Sequence, residues 1–434
     1  MNSIHQKNSC YFISPGVLLA GFLTLSLIAG LALPAFADHF RQLASEHFLI
    51  HYTMGTGEDA VTEEYANLVR DALEEAYAGL IDRAGFSIID TRIRVDIVGG
   101  QYGEMGAEYF DTTSSGDPLP VIEIATEEIM GGVLYGLVIP CTLRDMVRST
   151  ATHELFHVIQ DSLALDGKND MSDLIFVEAT ATWAQEAIIP EANDYLDPAL
   201  DFLLGPDSIA FFHRTYDAGI FWVFVSSRHG GIEAIKRVLE ASADYEGRYA
   251  IDYAFQEEGL TFDDLWEEFA VALASGTIPD ADLIKTMFPS AAEDGKSRNS
   301  IRWVALPAPV YTGTWSGTPI DIERVNFESD APYSPQFAED PIGTPLRVAH
   351  AYGVDFLDLA SSTGQTMEVA FAGDAGTVFR VNVVTQKGSN TTVYQLTTGA
   401  SVSIEHPDRY DAIRIAITRG EEGTGSYSLT IRGK

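Results

Sequence analysis

Apolar and polar positions divide this chain into three stretches of different period. In the first, Phe48-Leu49-Ile50-His51-Tyr52 reads as a strand, and residues 92–98 and 121–125 alternate as half-buried strands do. Between them Val61, Tyr65, Leu68, Val69, Leu73, Ala76 and Leu80 recur every three or four residues, which predicts a helix over about 59–84. In the second stretch the period stays helical. Leu143, Met146, Val147, Ala151, Leu155, Val158, Ile159 and Leu163 predict a helix over 142–165. Further helices are expected over 172–189, ended by Pro190, and over 211–228, stopped by His229-Gly230-Gly231. Two more are expected over 232–243 and 261–274, the last opened by Thr261-Phe262-Asp263-Asp264 as a cap.

From about residue 298 the period shortens to two. Met367, Val369 and Phe371 alternate with polar or small residues, as do Phe379, Val381 and Val383, then Ile413, Ile415 and Ile417, then Tyr427, Leu429 and Ile431. Short strands separated by turns such as Ser362-Thr363-Gly364 argue a β-sandwich. The expected class is α+β in three parts: a strand-rich part over 38–140, an all-helical part over 141–297, and an all-β sandwich over 298–434.

The N-terminus stands apart. Residues 17–33 are apolar, follow Lys7 and lead into Pro34-Ala35-Phe36-Ala37. That is the pattern of a secretory signal over 1–37, expected to be cut after Ala37, so export to a periplasmic or extracellular location is expected. Cleavage would remove Cys10 and leave Cys141 alone, so no intramolecular disulfide could form. An exported chain without disulfides points to a bacterium. No later run is apolar and long enough to span a membrane. With 63 acidic against 27 basic residues, the net charge of −36 repels nucleic acid and anionic membrane surfaces, and neither is an expected partner. The same acidity could retain Ca2+, although no EF-hand loop is present.

The candidate chemistry lies at His153-Glu154-Leu155-Phe156-His157, which reads H-E-x-x-H. On a helix, His153 and His157 are four apart and share a face, so two imidazoles can grip one metal ion. Glu154 stands one position round, where it can take a proton from a water without binding the metal. The third ligand decides the class. A third His in H-E-x-x-H-x-x-G-x-x-H is excluded, because the chain has Gln160 and Leu163. A Glu on the following helix is the other common solution, and Glu178 is the natural candidate. Two His and one Glu leave a fourth position for water, the pattern of catalytic zinc. Asp161, Gln185 and Glu186 are candidates to hold the imidazoles by their other nitrogen. Trp183 is expected in the core beside these helices, and Cys141 reads as a structural thiol.

H-E-x-x-H followed by Glu178-Ala179-Thr180-Ala181-Thr182-Trp183 resembles the gluzincin zinc metallopeptidases, whose members include thermolysin and the aminopeptidase N family. The local match is closest to the latter, where the third-ligand helix reads E-G-x-A-x-Y/W. Tyr216-Asp217-Ala218-Gly219 is similar to that family's Y-x-K-G, whose Tyr stabilises the oxyanion, with Ala218 in place of Lys. The G-x-M-E-N motif of the exopeptidases is absent, and thermolysin's Asp behind its ligand would fall at Thr182. The resemblance covers about residues 45–276. As a whole the chain resembles secreted bacterial metalloproteases of a kind described in myxobacteria.

The resemblance implies Zn2+ held by His153, His157 and Glu178, with Glu154 as general base and a peptide or protein substrate. It implies Tyr216 as oxyanion donor, with His213 and His229 as alternatives. It also implies an edge strand that lines the cleft and pairs with the substrate backbone, for which 121–126 is the candidate. Endopeptidase action is the first expectation. The rivals are a surface or periplasmic binding protein that keeps the zinc without turnover, and a specialised glycoprotein or cell-wall peptidase. An intact Glu154 argues against the first rival.

Overall fold

The computed structural model describes residues 8–9, 39–88, 91–99, 105–112, 118–165, 174–206, 210–287, 311–324, 352–420 and 426–434. Of the expected signal over 1–37, all but Asn8 and Ser9 lies outside the described residues. The chain forms two compact units, residues 1–172 with 180–197 and residues 173–179 with 198–434.

The first unit is a six-stranded sheet with helices on one face. Its strands are β1 (Asn8–Ser9), β2 (His39–Ala44), β3 (Phe48–Met54), β4 (Ile93–Val98), β5 (Gly106–Thr112) and β6 (Pro118–Ala125), in the order β1-β5-β6-β4-β3-β2. The β3-β4 and β4-β6 pairs are parallel and the rest antiparallel. Alternation explains the face that is covered. Ile93, Val95 and Ile97 of β4 and Ile122 and Ile124 of β6 are buried, while Arg94 and Asp96 point the other way and pair with each other. Over the apolar face lie α1 (Glu63–Tyr77), which runs on as a π-helical turn to Arg83, α2 (Glu127–Leu134) and α3 (Leu143–Leu165). The strand expected at the edge, 121–126, is an inner strand between β4 and β5. The outermost strands are β1, which pairs with β5, and β2.

Nothing between Leu143 and Leu165 interrupts α3: the segment has neither Gly nor Pro, and the Thr142 hydroxyl caps it by accepting the Asp145 N–H at 3.2 Å. Arg148 fixes its first turns to α1. Its Nε and Nη2 donate to Glu75 at 2.7 and 2.6 Å, and Nη1 reaches Glu191 at 2.6 Å. From Ser149 to Gln160 every residue of α3 is buried, so its polar side chains must find partners inside the protein. The next helix, α4 (Leu174–Ile188), continues unbroken from residues counted with the second unit into residues counted with the first.

The second unit holds α5 (Leu196–Leu204), α6 (Gly219–Arg228), α7 (Ile232–Ser242), α8 (Arg248–Ala254), α9 (Phe262–Ser275) and α10 (Ala281–Met287). The helix expected over 211–228 forms only from Gly219; Phe211–His213 and Tyr216–Ala218 are separate 3-10 turns. Asp217 explains the break. Its carboxylate accepts from the Thr215 backbone N–H at 3.1 Å and from the buried Arg214 guanidinium, so side chains satisfy groups that a helix would have paired.

The C-terminal strands are β7 (Tyr311–Trp315), β8 (Ile320–Arg324), β9 (Val354–Ser361), β10 (Met367–Gly373), β11 (Phe379–Lys387), β12 (Asn390–Leu396), β13 (Ser401–Ile404), β14 (Ala412–Arg419) and β15 (Tyr427–Gly433). They form a four-stranded sheet, β13-β10-β15-β8, and a five-stranded one, β12-β11-β14-β9-β7. Met367, Val369, Phe371, Leu429 and Ile431 of the first share one core with Val381, Val383, Ile413, Ile415 and Ile417 of the second. The other face of the larger sheet packs on α9. Arg380 donates to Asp264 at 2.9 Å and to Glu267 at 2.7 Å, and Asn382 and Gln395 also reach Glu267. Among the described residues no helix is long and apolar enough to cross a membrane.

Candidate metal centre

His153 and His157 lie on one face of α3, their rings edge to face with centroids 4.6 Å apart. Glu178 lies on α4. One ligand atom from each of the three falls within 4.8 Å of the others, and all three side chains are buried. This group could hold a metal ion. The donor set, two imidazoles and one carboxylate, leaves a tetrahedral ion one open position.

Each imidazole is gripped from behind. His153 Nδ1 lies 3.2 Å from Gln185 Oε1, and His157 Nδ1 lies 2.7 Å from Gln160 Oε1. With Nδ1 engaged in this way, Nε2 is the atom that each ring offers to an ion. The glutamines are anchored in turn. Gln185 Nε2 donates to Ser149 Oγ and Asp194 Oδ2, each at 2.9 Å, and Ser149 also donates to Asp194. Gln160 Nε2 donates to Thr180 Oγ1 at 2.9 Å. Burial pushes the Asp194 carboxyl up to about 6, against the Ser149 hydrogen bond that holds it down.

Glu154 is 1 % exposed and faces β5. The strand comes so close that a Cβ at Gly106 would sit 2.6 Å from Glu154 Oε1 and 2.7 Å from its Cγ. Only glycine allows this approach. Two residues on, Glu108 shares the helix-facing side of β5. It is buried, hydrogen-bonds to Asp161 and lies within electrostatic reach of His157 and Glu154. Burial and the Asp161 charge push its carboxyl up to about 9.

Of the residues expected to hold the imidazoles, Gln185 does so, Asp161 bonds to Glu108, and Glu186 is half-buried on α4. Trp183 is buried with its ring 6.0 Å from that of Phe156. Burial pushes the half-buried Cys141 thiol up to about 12, and the thiol donates to the Thr142 carbonyl at 3.3 Å, which makes it a poor nucleophile. In the second unit, Tyr216 is half-buried on its 3-10 turn, His213 is exposed, and His229 Nε2 lies 2.9 Å from Glu268 Oε2.

Gly106, Glu108, Ser149, Gln160 and Asp194 were not anticipated from sequence. Gln160 had a local signal, since it lies three residues past His157 and so on the same helical face. The others meet the centre only through tertiary contacts. Scanned against protein-family models the sequence matches none, and a search of curated proteins finds no match either.

Proposed function

We propose that this chain is a zinc-dependent peptidase of gluzincin type, exported from a bacterial cell, which cleaves within peptide or protein substrates. The observation that carries the reading is the buried convergence of His153, His157 and Glu178, with Glu154 beside it under β5. His153 and His157 would hold the ion through Nε2 and Glu178 through a carboxylate oxygen. A zinc ion so held lowers the pKa of water and polarises a carbonyl.

The chain's own groups do the rest. The Glu154 carboxylate takes the proton of the attacking water and passes it to the leaving amine. Tyr216 is the proposed donor to the developing oxyanion; support comes from Tyr216-Asp217-Ala218-Gly219 and from the engagement of His229 with Glu268. With residues 1–37 removed, the side of β5 that β1 covers would take an extended peptide as a further strand, so that main-chain hydrogen bonds bring the bond to be cut past Glu154. The antiparallel pairing of Asn8 and Ser9 with Glu108 and Ala107 is an instance of such an addition. Export rests on the apolar run over 17–33 and the A-x-A site that follows.

The test is metal content and casein hydrolysis of residues 38–434 beside Glu154→Gln. One zinc per chain is expected, with hydrolysis lost by about 10²–10⁴-fold in the variant while zinc stays. Zinc retained without turnover against casein or a broad peptide library would replace the peptidase by a binding protein. No zinc after reconstitution would remove the ligand assignment.

A further inference from the structure

We infer that Gln185 and Asp194 form a positioning relay that fixes the ring of His153 in the one tautomer able to bind a cation through Nε2. The inference rests on the metal-centre reading above and deepens it.

An amide side chain has one accepting end and one donating end, and only its neighbours decide which way it points. A carboxylate accepts and cannot donate. Asp194 therefore obliges the Gln185 nitrogen to face it, at 2.9 Å. Ser149 donates its own hydrogen to Asp194, which leaves its oxygen to accept from the same nitrogen, also at 2.9 Å. With both amide hydrogens directed there, the Gln185 oxygen must face His153 Nδ1, 3.2 Å away. A carbonyl oxygen accepts, so Nδ1 must carry the hydrogen and Nε2 the lone pair. The charge that sets the ring is thus one side chain removed from it.

A neutral amide also makes a weaker acceptor for the ring hydrogen than a carboxylate would, so it raises the basicity of the imidazole less. A carboxylate cannot simply replace Gln185, because it would stand against Asp194. The pair Gln185→Glu with Asp194→Asn removes that clash and keeps one carboxylate and one amide in the relay, now with the carboxylate at the ring.

Two readouts test this in metal-free and metal-loaded protein. The 15N shifts of His153 in metal-free protein report its tautomer, and competition with a chromogenic chelator reports affinity for Zn2+ and Co2+. Gln185→Met and Asp194→Asn are each expected to lose the single Nδ1–H state of His153 and to bind metal about 10–100-fold more weakly. Gln185→Glu/Asp194→Asn is expected to restore both. A folded Gln185→Met that keeps His153 in the Nδ1–H form with unchanged metal affinity would overturn the relay, as would a double variant no better than Asp194→Asn. If Gln185→Met does not fold, Asp194→Asn carries the same test. A wild-type protein that binds neither cation would remove the peptidase reading, while the tautomer readout would still decide the relay.

Discussion

Gly106 is the residue at which one added carbon atom would disturb the centre most. The new Cβ of Gly106→Ala would lie 2.6 Å from Glu154 Oε1. Either the carboxylate turns away or β5 withdraws, and both misplace the base. Hydrolysis should fall by about 10²-fold with zinc content unchanged, measured as kcat/KM beside metal analysis. Equal activity in the variant would mean that the strand does not sit this close. Glu108 gives a second prediction. Its carboxyl is pushed from an ordinary 4.5 up to about 9, so between those values the folded protein keeps a proton that the unfolded chain releases. Its contribution to stability is full below 4.5 and is lost as the pH rises towards 9. The melting temperature of metal-free protein should therefore drop from about pH 5 to about pH 9 more steeply than in Glu108→Gln. Parallel curves would remove the proposed protonation. At this scale the convergence of His153, His157 and Glu178 was legible because spacing along two helices writes it into the sequence. Gly106 and Glu108 were not, because what gives them meaning is a helix 46 or more residues away.

At the scale of elements, the local signals that worked were caps and periods. Thr261 opens α9 with a full capping box: its hydroxyl receives the Asp264 N–H, and the Asp264 carboxylate receives the Thr261 N–H at 2.9 Å. Thr261→Ala should cost about 1 kcal/mol, read from urea unfolding of the whole chain. An unchanged midpoint would mean that the cap is redundant with the sheet that α9 packs on. Helices α3, α4, α7 and α9 and strands β3, β4 and β6 all lie within a few residues of their sequence-based bounds. The expected helix over 211–228 failed in its first half because periodicity does not see Arg214 and Asp217 pairing across three residues. The edge strand was misplaced for a related reason. Val121, Glu123 and Ala125 alternate with Ile122 and Ile124, but alternation says that one face is buried, not which strand lies outermost.

For the molecule as a whole, the second unit joins what the sequence divides by composition. The change of character near residue 298 suggests a separable C-terminal domain, whereas α9 and the five-stranded sheet share a polar seam around Glu267. Arg380, Asn382 and Gln395 all direct their donors at that one carboxylate. A chain ending at residue 297 would leave Glu267 and the surface of α9 without them. Such a chain should lose the cooperative thermal transition of the full-length protein, followed by circular dichroism at 222 nm, rather than melt as a stable fragment. A sharp transition at the full-length temperature would show instead that the helices stand alone.

The nearness of β5 to α3 has a consequence for the pairing of β5 with β6. From Gly106 to Glu108 the strand advances about 6.8 Å, and from Glu154 to Asp161 the helix advances about 10.5 Å. Gly106 meets Glu154 with its backbone, and the Glu108 and Asp161 side chains span the difference of about 4 Å. Because strand side chains alternate, slipping β5 by one residue would present Ala107 and Tyr109 to the helix in their place. The register of β5 on β6 therefore sets which side chains meet the centre. A shift of that register by one residue would disarm the proposed base without touching a single ligand.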